Sequence, residues 1–143
     1  MLEFCKTIPE GKCMHTLLKS FLVALLSLTS LHASFLEAES TQAIQEKKLI
    51  LVNIVSENCP YCKQMQKEVF NNAAYKKQID QKFVLVTIDQ MDPALPSDLR
   101  TPYTPANAIL SPTRHTIIEG YTGYMDPKSF MDVLESAYKA EFK

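Results

Sequence analysis

Between Lys48 and Ser56 the chain reads KLILVNIVS, a nearly unbroken run of aliphatic and β-branched residues. A strand of that composition has no polar face to offer water, so it belongs inside a sheet covered on both sides. Glu57 and Asn58 follow, and then Cys59-Pro60-Tyr61-Cys62. Pro60 falls where the first turn of a helix tolerates proline, because its missing N–H would have no partner there. Cys62, Met65 and Val69 recur at i, i+3 and i+7, one apolar face of a helix. A second apolar run, FVLVTID, covers Phe83–Asp89. Strand, helix, strand predicts a parallel unit with a right-handed crossover, and hence the α/β class.

The rest of the chain extends this unit. A polar helix is expected over Ala38–Lys48. Asn71 and Asn72 should weaken or bend the helix after the cysteines, with a second helical piece over Ala73–Gln81. Gln90–Thr104 carries Pro93, Pro96 and Pro102 and reads as loop. Ala106–Leu110 and His115–Glu119 read as short strands around Ser111-Pro112-Thr113-Arg114, a spacing that suits an antiparallel hairpin. Asp126 is positioned to cap a closing helix with Pro127 at its first residue. Phe130, Val133, Leu134, Ala137 and Tyr138 follow at helical spacing and should pack on the sheet. The predicted order is β-α-β, then β-β-α. Phe70 and Phe83 read as core, and Tyr121 and Tyr124 as cover for the sheet edge.

Residues Phe21–Leu31 form a short apolar run preceded by Lys19 and followed by a small residue, Ala33. This is the pattern of a secretory signal, expected over residues 1–33 with cleavage after Ala33. The run is about half the roughly 20 residues a membrane-spanning helix needs, so an uncleaved anchor borrowing Leu17 and Leu18 is the lesser alternative. Glu3, Pro9 and Glu10 do not suit a basic leader, which makes Met14 the expected start. Residues 34–143 then form a single domain, periplasmic or secreted, and expected to be a monomer. A formal net charge of −1 gives no basic footprint for nucleic acid, and three Gly against eight Pro leave no Gly-rich phosphate loop.

Export also removes Cys5 and Cys13, so the mature chain keeps only Cys59 and Cys62. One Cys-x-x-Cys in an exported protein reads first as a redox motif. At a helix start, outward-pointing N–H groups and the positive dipole end favour thiolate over thiol, and the thiolate is the attacking species in exchange. Cys59 is therefore the expected nucleophile. Cys62, one turn further and on the apolar face, is the expected resolving thiol. Pro60 stiffens the turn, and Tyr61 should be exposed beside the sulfur, where it could touch a partner. A purely structural bridge is the weaker reading, since closing so small a loop constrains the unfolded chain little. A tetrahedral zinc site needs four ligands, whereas the mature chain offers two Cys and His115; no metal site is expected, although a two-thiolate copper carrier stays open. The redox-active disulfide itself would serve in place of a bound cofactor.

LILVNIVSENCPYCKQMQKEVF, then FVLVTID, then TPANAIL and the closing amphipathic helix together resemble the thioredoxin superfamily over about residues 38–140. The likeness is greatest to exported bacterial thioredoxin-like proteins of the SoxW type. It implies a thioredoxin-like fold, a central mixed sheet flanked by helices. It implies a cis-proline at Pro105, with Pro102 the competitor, and substrate contact through the backbone of Thr104. It implies thiol–disulfide exchange on protein substrates, with electrons from a membrane thiol donor; a disulfide-forming oxidant is the alternative. Two departures stand out. Asn53 occupies the place of a buried Asp that aids proton transfer, and an amide cannot take a proton as a carboxylate does. Gly120 and Gly123 are apart, so the Gly-Gly turn by which glutaredoxins hold glutathione is missing.

Overall fold

The computed structural model describes residues 35–143; the signal segment, its cleavage point and the start at Met14 lie outside the described residues. Helix α1 spans Glu37–Glu46, and strand β1 spans Leu49–Val55. Helix α2 spans Pro60–Met65 and runs into a π-helical turn over Gln66–Phe70. Helix α3 (Ala73–Lys82) leads to β2 (Phe83–Asp89). Strands β3 (Ala106–Leu110) and β4 (Ile117–Thr122) precede α4 (Pro127–Glu141). The sheet order is β2-β1-β3-β4. β1 pairs parallel with β2 and antiparallel with β3, and β3 pairs antiparallel with β4. The sheet is therefore mixed.

Alternation along β1 divides the core. Leu49 and Leu51 face Met65, Val69 and Phe70 of the α2–π segment, Ile79 of α3, and Phe130, Leu134 and Ala137 of α4. Ile50, Val52 and Ile54 face Ala43 of α1 together with Leu95 and Leu99. This is why the run at 49–54 could be apolar at every position but Asn53: both of its faces are covered.

The departures from the expected boundaries have local causes. Helix α1 stops at Glu46 because Lys47 turns left-handed (φ 53°) and returns its N–H to Ala43 and Ile44 carbonyls. The segment after the cysteines is not one uniform helix. Asn71 N–H reaches back to the Gln66 carbonyl at 2.7 Å, and the wide turn buries Val69 and Phe70 together. Asn72 then starts α3 as its cap, accepting the Ala74 N–H at 3.0 Å. The second hairpin strand lies later than expected. His115 is left-handed (φ 53°), and Ser111 and Thr116 close the connection, so pairing begins at Ile117 and runs through Gly120 to Thr122. The loop from Gln90 also does more than connect, since Leu95 and Leu99 are buried core residues. Asp126 accepts the Ser129 N–H at 3.1 Å and caps α4.

Candidate active site

The site is assembled where β1 ends. Cys59 is the N-cap of α2 in an extended conformation, and Pro60 opens the helix. The Cys59 and Cys62 sulfurs are joined as a disulfide, with the Cα atoms 5.2 Å apart. The Cys62 backbone N–H donates to Cys59 Sγ at 3.0 Å. An N–H aimed at that sulfur stabilises charge on it, and a negative atom at the cap also meets the positive end of the first helical turn. Pro60 and Tyr61 are exposed, Tyr61 by 58%.

The sequence expects Cys59 as the attacking sulfur and Cys62 as the resolving thiol on the apolar face, and burial alone does not separate them. In the joined state both are covered, 6% and 7% exposed respectively. Joining the sulfurs makes each cover the other, so exposure does not rank them. Only the direction of the N–H at 3.0 Å does.

Two distant segments meet the residues on either side of the pair's first cysteine. Ser56, just before the motif, hydrogen-bonds through Oγ to Thr104 Oγ1 at 2.8 Å. The Thr104–Pro105 peptide bond is cis, and Pro105 is buried. Pro105 carbonyl accepts the Gly123 N–H at 2.7 Å. Gly123 stands at φ 92°, a conformation that favours glycine, and this turn delivers Tyr124 beside the motif. Tyr124 packs on Tyr61 with ring centroids 6.2 Å apart. Thr104, Pro105 and Tyr61 are thus gathered around one end of β1, as Cys59 and Cys62 are. Ser56, Glu68 and Tyr124 join them. Sequence reading assigned Ser56 and Glu68 no role, and Tyr124 only the sheet edge; their partners lie 48 and 56 residues away, beyond any local pattern.

On the flank of α2 facing β2, a groove of about 400 Å³ is lined by Cys62, Glu57, Lys63, Lys67 and Thr87 among others. Thr87 begins a polar row across the sheet. It stands opposite Asn53, Asn53 opposite Asn107, and Asn107 opposite Tyr121. Asn53 and Asn107 are each 2% exposed. Among the described residues, Asn53 Oδ1, both polar atoms of the Asn107 side chain and the Tyr121 hydroxyl find no hydrogen-bond partner. Burial pushes the Tyr121 hydroxyl far above the ordinary phenol range, so it stays neutral. The row therefore contains no group that accepts a proton near neutral pH. Placing a carboxylate there should be felt in a pH-dependent way. Asn53→Asp is expected to be nearest wild-type stability in acid and to fall behind as pH rises, because burial raises the folded-state pKa of a carboxyl above its unfolded value of about 3.9. Urea midpoints from pH 4 to pH 8 measure this; parallel curves for mutant and wild type would refute it.

A covalent cysteine pair at the head of the helix that follows the central strand, with a cis-proline entering β3, is the arrangement of a thiol–disulfide oxidoreductase with a thioredoxin-like fold. The chain belongs to the thioredoxin-like domain family, whose model matches residues 36–138. No curated protein matches it. Among solved structures, a thioredoxin from Thermus thermophilus is similar at 23% identity, covering 69% of this chain and 80% of that one, with a TM-score of 0.60. The reduced periplasmic thioredoxin SoxS from Paracoccus pantotrophus is 18% identical over 64% of this chain and 97% of its own, with a TM-score of 0.52. The oxidised C-terminal domain of DsbD from Neisseria meningitidis is 18% identical over 70% and 90%, with a TM-score of 0.56. At these identities the likeness is one of fold.

Proposed function

We propose that the protein acts outside the cytoplasm and reduces or exchanges disulfides of other proteins through Cys59 and Cys62. The observation that carries this reading is the Cys62 N–H held on Cys59 Sγ at 3.0 Å. In the reduced protein the same donor would favour a thiolate at Cys59. That thiolate attacks one sulfur of a substrate disulfide, forms a mixed disulfide and releases one substrate thiolate. Cys62 then loses its proton and attacks Cys59 Sγ. The second substrate thiolate leaves, the Cys59–Cys62 bond forms, and two electrons have passed to the substrate. No further cofactor is needed, because the pair itself carries the electrons.

Attack by a thiolate on a disulfide needs the sulfurs brought into line. A protein substrate must therefore be guided in, and Pro60, Tyr61, Thr104 and Pro105 are the residues placed to do so. Thr104 precedes β3 and offers backbone groups for a strand-like contact. Export is supported by the apolar run Phe21–Leu31 and by the periplasmic origin stated for SoxS. Among the described residues no helix is long and apolar enough to cross a membrane. A membrane thiol donor would restore the reduced pair.

Direction is decided by potential. Equilibration in defined thiol buffers, with alkylation of free thiols, reads it directly. A midpoint near about −270 mV is expected for a reductase, whereas one near about −120 mV would make the protein a disulfide-forming oxidant.

A further inference from the structure

Tyr61 stands inside the Cys-x-x-Cys motif, yet more than half of its surface is exposed. A free surface ring samples several rotamers, and fixing it when a partner binds costs conformational entropy. Here the ring is not left to itself. It packs against Tyr124 at 6.2 Å and an interplanar angle of 38°, inside the range of favourable aromatic pairs. The Tyr124 hydroxyl donates to Glu68 Oε2 at 2.6 Å. Gln64 Nε2 donates to the other oxygen, Oε1, at 3.2 Å. Glu68 lies in the π-helical turn, and Tyr124 follows the left-handed Gly123. Two irregular pieces of backbone thus meet in one charge-assisted hydrogen bond, the stronger kind. That bond raises the Tyr124 phenol above its ordinary range, so the donor keeps its proton.

We propose that Glu68 and Tyr124 are positioning residues that hold Tyr61 ready for a protein substrate, and so set affinity for large disulfide substrates without touching the exchange step. This rests on the activity proposed above. The chain of contacts runs from Glu68 to Tyr124 to Tyr61 and ends beside the disulfide. None of the three takes part in proton or electron transfer. Losing the brace should therefore weaken docking of a polypeptide and leave a small disulfide unaffected, since the latter has no surface to lay against Tyr61.

Steady-state kinetics of the mature protein with dithiothreitol as electron source test this. Insulin serves as the protein disulfide and hydroxyethyl disulfide as the small one. Tyr124→Phe keeps the ring and removes only the hydroxyl, and Glu68→Ala removes the acceptor. Each is expected to raise KM for insulin about threefold, the size of one partly exposed hydrogen bond. Glu68→Gln retains an acceptor oxygen and should stay near wild type. Throughout the series kcat on insulin, the redox midpoint and the rate with hydroxyethyl disulfide should not change. Insulin KM at the wild-type value in both Tyr124→Phe and Glu68→Ala overturns the role, as does equal loss on both substrates. If wild type turns over neither substrate, the exchange activity itself falls and this role with it; wild type active on both, with an unaffected Tyr124→Phe, removes the brace alone.

Discussion

Cys62→Ser will accumulate a covalent adduct with a protein disulfide, whereas Cys59→Ser will not, and turnover will drop to background in both. The asymmetry comes from the hydrogen bond at the head of α2. The N–H of residue 62 points at the sulfur of residue 59, and a serine at 62 keeps that backbone donor. Cys59 therefore remains an activated nucleophile in Cys62→Ser. It attacks, a mixed disulfide forms, and nothing is left to resolve it. In Cys59→Ser the surviving thiol is that of residue 62, and among the described residues no comparable N–H is aimed at its sulfur. Exposure would not have given this ranking, since the two residues are equally covered. Non-reducing electrophoresis after incubation with insulin, with and without added dithiothreitol, reads the adduct. An adduct on Cys59→Ser in place of Cys62→Ser would reverse the two roles.

Phe130→Ala should be the most damaging single truncation in the core. Phe130 is fully buried, and its ring meets two others edge-on: Phe70 at 5.6 Å and 83°, and Tyr121 at 5.6 Å and 78°. It joins α4 to the π-helical turn on one side and to β4 on the other. Removing such a ring costs about 3–5 kcal/mol, from transfer free energy and from the cavity left behind. Domains of this size have about 5–15 kcal/mol in total, so the variant should fold only marginally. Urea unfolding should show a much lower midpoint at unchanged slope. Tyr103→Ala, at an exposed ring beside Thr104, is the control and should shift stability by no more than about 0.5 kcal/mol. A Phe130→Ala midpoint close to wild type would mean that the three-ring contact does not hold α4 in place.

Much of this molecule is legible one segment at a time. The strands Phe83–Asp89 and Ala106–Leu110 lie at their predicted bounds, and Asp126 with Pro127 starts α4. Those features depend on neighbours within a few residues: β-branched runs, a capping side chain, a proline at a first turn. The cysteine spacing likewise declares a redox pair, because the ring it closes is local. The same logic explains where prediction stops. The π-helical turn trades one ordinary turn for the burial of Val69 and Phe70 together, a decision made by the sheet they pack against. The later start of β4 follows from the left-handed His115 and the bonds that close its loop.

What this sequence determined alone is the order of its elements, the faces they bury and the pair of sulfurs at a helix start. Tertiary structure decided the surroundings of that pair. It tied Ser56 to Thr104 and Tyr124 to Glu68 across 48 and 56 residues, and it covered both cysteines alike. Hydrogen bonds of that kind leave no periodicity in a chain. They form only after hydrophobic burial has brought the loops together, and their donors and acceptors read in isolation as ordinary surface residues.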